Sequence, residues 1–148
     1  MRAINWIVLH CSDSEFGDAA SIDAWHRARG WSGIGYHFVI LNGYRTAESV
    51  QSVIQDCEIG GIEAGRPVEQ VGAHAVGHNA DSIGICLIGR GDNPELQLYA
   101  ARRLIMKLLK EFPNARLVGH YELDPQKTCP LLDMELMRRD YELPGFES

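Results

Sequence analysis

Ser82-Ile83-Gly84-Ile85-Cys86-Leu87-Ile88-Gly89 is an apolar run bounded by serine and glycine. Its length and isoleucine content read as a central strand, with Cys86 as a small buried hydrophobe inside it. On its C-terminal side, past the turn at 89–91, Asn93 is placed to cap a helix that begins at Pro94. Leu98, Ala101, Ile105, Leu108 and Phe112 follow at helical spacing, with Arg102, Arg103, Lys107 and Lys110 elsewhere around the helix, and Pro113 stops it. Residues 115–119 read as a short strand that runs into His120, residues 131–141 as a last helix, and residues 144–148 as a frayed tail.

Working back towards the N-terminus, residues 4–10 (Ile-Asn-Trp-Ile-Val-Leu-His) have the pattern of a buried strand and deliver His10 at its C-terminal end. Taken alone, His10 reads first as a core histidine with its hydrogen bonds satisfied and only second as a ligand, since a single histidine is a weak sign of a metal. Residues 21–30 read as a short helix capped by Ser21, with Ile22, Trp25 and Ala28 as its apolar stripe, His26 facing solvent and Gly30 at its end. A turn at 31–35 leads into a strand over 36–41. Alternation there puts Tyr36, Phe38 and Ile40 on one face and His37, Val39 and Leu41 on the other. Asn42-Gly43 signals a tight turn, yet Val50, Val53, Ile54 and Cys57 recur at helical spacing, so residues 46–57 read as a short helix or irregular excursion before a strand resumes over 62–67. His74 and His78 lie in a glycine-punctuated loop. They read either as polar loop residues or as metal ligands, and the small residues around them disfavour a helical ligand pair.

At 148 residues, 45% hydrophobic and 23% charged, with no linker, repeat or low-complexity block, the chain reads as one globular α/β domain spanning residues 1–148. A net charge of −6 argues against a nucleic-acid partner, because phosphate binding needs an excess of Lys and Arg. It equally disfavours an electrostatic membrane anchor. The first residues carry too short an apolar run for a signal peptide, and no run reaches a membrane span. The expectation is therefore a monomer made in the cytoplasm without a signal peptide, acting there or after release. Cys11, Cys57, Cys86 and Cys129 sit far apart and read as free thiols.

Two strand ends deliver histidines, His10 and His120, and Cys129 lies one loop beyond the second. These are ligand types that zinc prefers. Three protein ligands are a catalytic count, since structural sites use four and catalytic ones leave a position for water. An open position implies hydrolysis, with the metal polarising a carbonyl and acidifying water towards a pKa of ~7. A thiolate ligand lowers the charge of the centre, so helpers are expected. Tyr36 can orient water or stabilise an oxyanion, and the Lys127 ammonium stands two residues from Cys129.

Val8-Leu9-His10-Cys11-Ser12, Gly33-Ile34-Gly35-Tyr36-His37-Phe38, Glu63-Ala64-Gly65-Arg66, Gly72-Ala73-His74, Asn79-Ala80-Asp81-Ser82-Ile83-Gly84-Ile85-Cys86-Leu87 and Gly119-His120 with Lys127-Thr128-Cys129-Pro130 together resemble the type 2 zinc amidases, which include phage amidases and peptidoglycan recognition proteins. The resemblance runs in order from about residue 4 to about residue 132. It implies a central mixed sheet flanked by helices, and cleavage of the amide between N-acetylmuramic acid and L-alanine in peptidoglycan or muropeptides. By position it implies His10, His120 and Cys129 as Zn2+ ligands, with Tyr36 and Lys127 catalytic. His74 matches a groove histidine, either a substrate contact or a structural hydrogen bond, and His37 stays structural. The segment from about 44 to 60 departs from the family's short hairpin, and either extends the groove wall or packs on the surface. Two rivals stand beside this reading: a non-catalytic peptidoglycan-binding module, and a cysteine hydrolase using Cys129 with His120 as base.

Overall fold

The computed structural model describes residues 2–143, so the tail expected at 144–148 lies outside the described residues. Five strands, β1 (Trp6–Cys11), β2 (Phe38–Asn42), β3 (Ile59–Ala64), β4 (Ser82–Leu87) and β5 (Arg116–Gly119), form one sheet in the order β3-β2-β4-β1-β5. β1 runs parallel to both β4 and β5, and β2 runs parallel to β4. β3 pairs antiparallel with β2, so the sheet is mixed, as expected. Every residue of β4 is buried, which is why its sequence lacks polar alternation.

Side-chain alternation divides the core into two layers. Ile7, Leu9, Ile83, Ile85, Leu87 and Leu117 face a layer built by α3 (Glu95–Glu111), through Ala101, Leu104, Ile105 and Leu108, and by α5 (Met134–Asp140), through Met134 and Met137. Val39, Leu41, Cys86 and Ile88 face α1 (Ala19–Ala28), which covers them with Ile22 and Trp25. His10 pairs in register with Cys86 and alternates with Ile7 and Leu9, so it emerges on the α1 face.

Several boundaries differ from the sequence reading. α1 begins two residues before Ser21, because the Asp18 carboxylate accepts both the Ser21 backbone N–H at 2.8 Å and its hydroxyl at 2.7 Å. His26 shares a helix face with Ile22 and Trp25 and so points inward, where it is 5% exposed instead of facing solvent, while Ala28 is exposed. Asn93 does not cap α3. Pro94 holds the cap position, and the Asn93 amide donates to Gln97 Oε1, whose own amide donates to the carbonyls of Ile40 and Ile88 at 2.9 Å each. Gln97 thereby pins the start of α3 to the ends of β2 and β4.

β2 begins at Phe38. Val39 and Leu41 take the expected face, but Tyr36 packs with them instead of with Phe38 and Ile40, because strand parity does not extend through residues 36–37. The helix of the excursion, α2 (Ala47–Ser52), is capped by Thr46 and ends at Val53, whose φ of 53° is left-handed; Val53 and Ile54 are exposed despite their helical spacing. Arg45 clamps the base of this excursion, its Nη1 lying 2.8 Å from Asp18 Oδ2 and 2.9 Å from Glu63 Oε2. The last helix is shorter than expected and starts from an Asp133 cap.

Candidate active site and metal centre

Register brings the first two candidate ligands together. Leu9 pairs with Gly119, so the next residue on each strand, His10 and His120, stand side by side with ring centroids 4.5 Å apart. His120 opens α4 (His120–Leu123), and the Glu122 carboxylate accepts the Gly119 N–H while holding Arg138 through two short contacts of 2.7 and 2.9 Å. The loop beyond α4 doubles back at Asp124, which accepts the Gln126 N–H on its side chain and the Lys127 N–H on its carbonyl, each at 3.0 Å. The Tyr121 N–H then donates to the Cys129 carbonyl at 3.1 Å, closing the loop and returning Cys129 to His120.

Cys129 Sγ lies 3.4 Å from His120 Nδ1 and 3.6 Å from His10 Nδ1, and the three ligand atoms all lie within 4.8 Å of one another. A tetrahedral zinc with ordinary bonds of about 2.0 Å to nitrogen and 2.3 Å to sulfur keeps its ligand atoms about 3.3–3.6 Å apart. The donor set therefore fits zinc in type, and its two sulfur–nitrogen distances fit zinc in spacing. Hydrogen bonds from Cys11, His10 and His120 pull the Cys129 thiol well below its ordinary value, favouring the thiolate that a metal requires. The Cys11 thiol is pushed up, mainly by that same contact, and keeps its proton as the donor.

The sulfur and the two imidazoles sit at the base of a cleft of about 410 Å³, which Tyr36, His74, Lys127, Asp124, His26, Arg29, Trp31, Val76 and Asn79 also line. Tyr36 packs 4.9 Å from His10, ring to ring, and its hydroxyl reaches the Cys86 thiol. Burial and the neighbouring thiols raise the Tyr36 phenol well above its usual value, so it remains a proton donor. Lys127 is exposed at the cleft mouth, carried there by the Asp124 turn. His74 is 9% exposed; its Nδ1 lies 2.8 Å from His10 Nε2 and its Nε2 lies 3.1 Å from Ser82 Oγ. Burial, followed by the nearby His10, His37 and His120, lowers the His74 pKa to about 2, so this ring is neutral.

All six expected site residues thus meet in one cleft. His78 does not join them, since the turn from Ala75 to His78 carries it away while Asn79 Oδ1 holds the backbone N–H groups of His74 and Ala75. His37 keeps its structural part: its Nδ1 accepts the Gly84 N–H, so Nε2 donates to the Gln70 carbonyl at 2.8 Å. The excursion contributes no lining residue to this cleft. Sequence reading missed the wall made by His26, Arg29 and Trp31, in which the Trp31 ring packs at a tilt against His26, centroids 4.5 Å apart, and the Arg29 guanidinium lies 5.9 Å from the Trp31 ring. A signal for His26 was present, since Ile22, Trp25 and His26 fall at i, i+3 and i+4 on one helix face.

Among the described residues no helix is long and apolar enough to cross a membrane. Residues 1–131 match the family model described as N-acetylmuramoyl-L-alanine amidase. The chain is 33% identical over 140 residues to the endolysin of Klebsiella phage KP32 and 34% identical over 140 residues to that of Escherichia phage T7, covering 87% of this chain and 82% of the relative in each case. Its fold is similar to that of the N-acetylmuramoyl-L-alanine amidase LysC from Clostridium intestinale, with a TM-score of 0.76 and 28% identity over 96% of this chain and 87% of that one. It is also similar to a point mutant of Drosophila PGRP-LB in complex with tracheal cytotoxin, with a TM-score of 0.68 and 25% identity over 88% of this chain and 76% of that one. With a matching family model over most of its length, relatives of this kind and a mixed sheet that presents a His-His-Cys cleft, the chain belongs to the N-acetylmuramoyl-L-alanine amidase family.

Proposed function

We propose that residues 1–148 form a single amidase domain that hydrolyses the amide bond between N-acetylmuramic acid and L-alanine in peptidoglycan, using a zinc ion held by His10, His120 and Cys129. The observation that carries the zinc reading is the convergence of three ligand atoms within 4.8 Å at the base of a cleft. When bound, zinc supplies Lewis acidity, polarising the scissile carbonyl and making water nucleophilic near neutral pH. Cys129, already drawn towards the thiolate by its neighbours, offsets one unit of the metal's charge. Tyr36 holds its proton and donates a hydrogen bond to the oxygen on which negative charge develops. The Lys127 ammonium stabilises the same charge from the rim, and its exposed position lets it adjust to a bound chain.

The cleft's composition suits a muramoyl peptide. Trp31 and Val76 offer apolar surface, while Arg29 and Lys127 outnumber Asp124 among the charged groups. A stem peptide bearing free carboxylates is attracted to such a lining although the whole chain carries −6. We take the protein to act on the cell wall, and to do so as a monomer.

Purified protein is expected to contain about one zinc ion per chain. Activity should be lost to a chelator and return with added zinc. Full activity in chelator would sink the metal reading and favour the cysteine hydrolase, for which the 3.4 Å approach of Cys129 Sγ to His120 Nδ1 would then be the nucleophile–base contact.

A further inference from the structure

His74 has no part in the chemistry described so far, yet the fold builds a place for it. A Cβ on Gly84 would stand 2.6 Å from His74 Cγ, and one on Gly72 would stand 2.7 Å from His74 Cδ2. Only glycine at these two positions leaves room for the ring where it stands. The Asn79 side chain fixes the backbone on either side, accepting the N–H groups of His74 and Ala75 at 2.9 and 2.8 Å. Both ring nitrogens are engaged, Nδ1 by His10 Nε2 and Nε2 by Ser82 Oγ. With neither nitrogen free and 9% of the residue exposed, the ring has no polar atom to offer a substrate.

From this geometry we infer that His74 is a positioning residue for the metal centre: it accepts the His10 Nε2–H on its own Nδ1, which fixes the orientation and tautomer of His10 and aims the lone pair of His10 Nδ1 at the zinc. The inference rests on the zinc reading of the preceding subsection. The proton count closes along the chain of contacts. A ligating His10 carries its single proton on Nε2, and that proton requires an acceptor. Neutral His74 accepts on Nδ1 and so carries its own proton on Nε2, which Ser82 Oγ accepts in turn. A metal-bound imidazole whose second nitrogen is held by a buried partner binds more tightly, because orientation and tautomer are set before the metal arrives.

The test uses the full chain, with zinc affinity measured by competition with a chromogenic chelator. His74→Ala is expected to weaken zinc binding ten- to a hundredfold. His74→Asn, which can place an amide oxygen near the position of the lost Nδ1, should recover most of that loss and guards against an effect of misfolding. Gly84→Ala, which alters no polar group but pushes on the ring, should weaken zinc in the same direction as His74→Ala. In the zinc-loaded wild type, nitrogen-resolved NMR should show a slowly exchanging proton on His10 Nε2, and His74→Ala should make it exchange faster. Unchanged zinc affinity in His74→Ala, together with a raised KM and unaltered kcat, would overturn the inference and make His74 a substrate contact. Lowered thermal stability with unchanged zinc affinity would overturn it in favour of a packing role. A wild type that fails to bind zinc would remove the metal reading itself, an outcome distinct from a wild type and His74→Ala that bind zinc equally well.

Discussion

Cys129→Ala and His10→Ala are each expected to lose zinc and to lower kcat/KM for muramoyl-peptide hydrolysis by at least about 10³-fold. Cys129 is the one proposed ligand of the three that would bring a formal negative charge, and its sulfur lies 3.4 and 3.6 Å from the nearest nitrogens of the two imidazoles. Removing it leaves two nitrogen donors, short of the three protein ligands that a catalytic zinc uses. Lewis-acid stabilisation of a transition state is worth several kcal/mol, and each 1.4 kcal/mol or so is tenfold in rate, which sets the expected loss. Metal analysis of the dialysed variants, run beside steady-state kinetics, checks both halves. Retention of a full zinc equivalent by either variant would remove that residue from the ligand set. Because Cys129 lies on a loop and His10 in a buried strand, Cys129→Ala is the variant with less effect on folding.

Tyr36→Phe and Lys127→Ala are expected to behave differently, keeping zinc while slowing turnover by roughly 10²- to 10³-fold each, the usual effect of deleting one donor to a developing oxyanion. Neither side chain belongs to the metal-binding group. Tyr36 contributes a hydroxyl that burial keeps protonated, so Phe removes the proton donor and preserves the ring packed against His10. Lys127 contributes charge from an exposed position, so its removal should fall on kcat with little change in stability. Zinc content together with kcat and KM for each variant separates these roles. Loss of zinc from Tyr36→Phe would contradict the assignment of Tyr36 to charge stabilisation, and a pure KM effect in Lys127→Ala would make it a substrate anchor.

Sequence pattern picked out the residues that meet in the cleft more fully than the boundaries of the elements that carry them. His10 and His120 were legible because each follows a short apolar strand. Their adjacency was not, since it depends on the pairing of Leu9 with Gly119 across 110 positions, which no local pattern encodes. The return of Cys129 to His120 was only partly legible. Asp124-Pro125 is a turn-forming pair, but the closing bond from the Tyr121 N–H to the Cys129 carbonyl is a backbone contact that any residue could make.

The misplaced helix starts share a cause. Asp18 and Ser21 are both good capping residues three positions apart, and the pattern favoured Ser21. In the fold Asp18 is held by Arg45, whose Nη1 also reaches Glu63, and that long-range pair settles which residue caps. Asn93 was likewise drawn from capping by a tertiary partner, the buried Gln97. The excursion shows the converse: Val53 and Ile54 keep a helical spacing that tertiary structure does not use, because the helix has already ended at the left-handed Val53.

The glycines illustrate what a motif can carry. In Gly72-Ala73-His74 and Ser82-Ile83-Gly84 the pattern marks family resemblance without giving a reason. In the fold, both glycines are needed because a Cβ at either would collide with the His74 ring. The role of His74 was therefore undecided in sequence for a physical reason. Its two partners, His10 and Ser82, lie 64 and 8 positions away, and only the folded chain shows that both ring nitrogens are already engaged.

The most direct test of the account is digestion of purified cell-wall sacculi by the zinc-loaded protein, with product analysis by mass spectrometry and end-group chemistry, repeated after chelation and after reloading with zinc. The predicted result is release of new free L-alanine amino termini without new reducing sugars, abolished by the chelator and restored by zinc. New reducing ends, or L-alanine termini that appear undiminished in chelator, would contradict it.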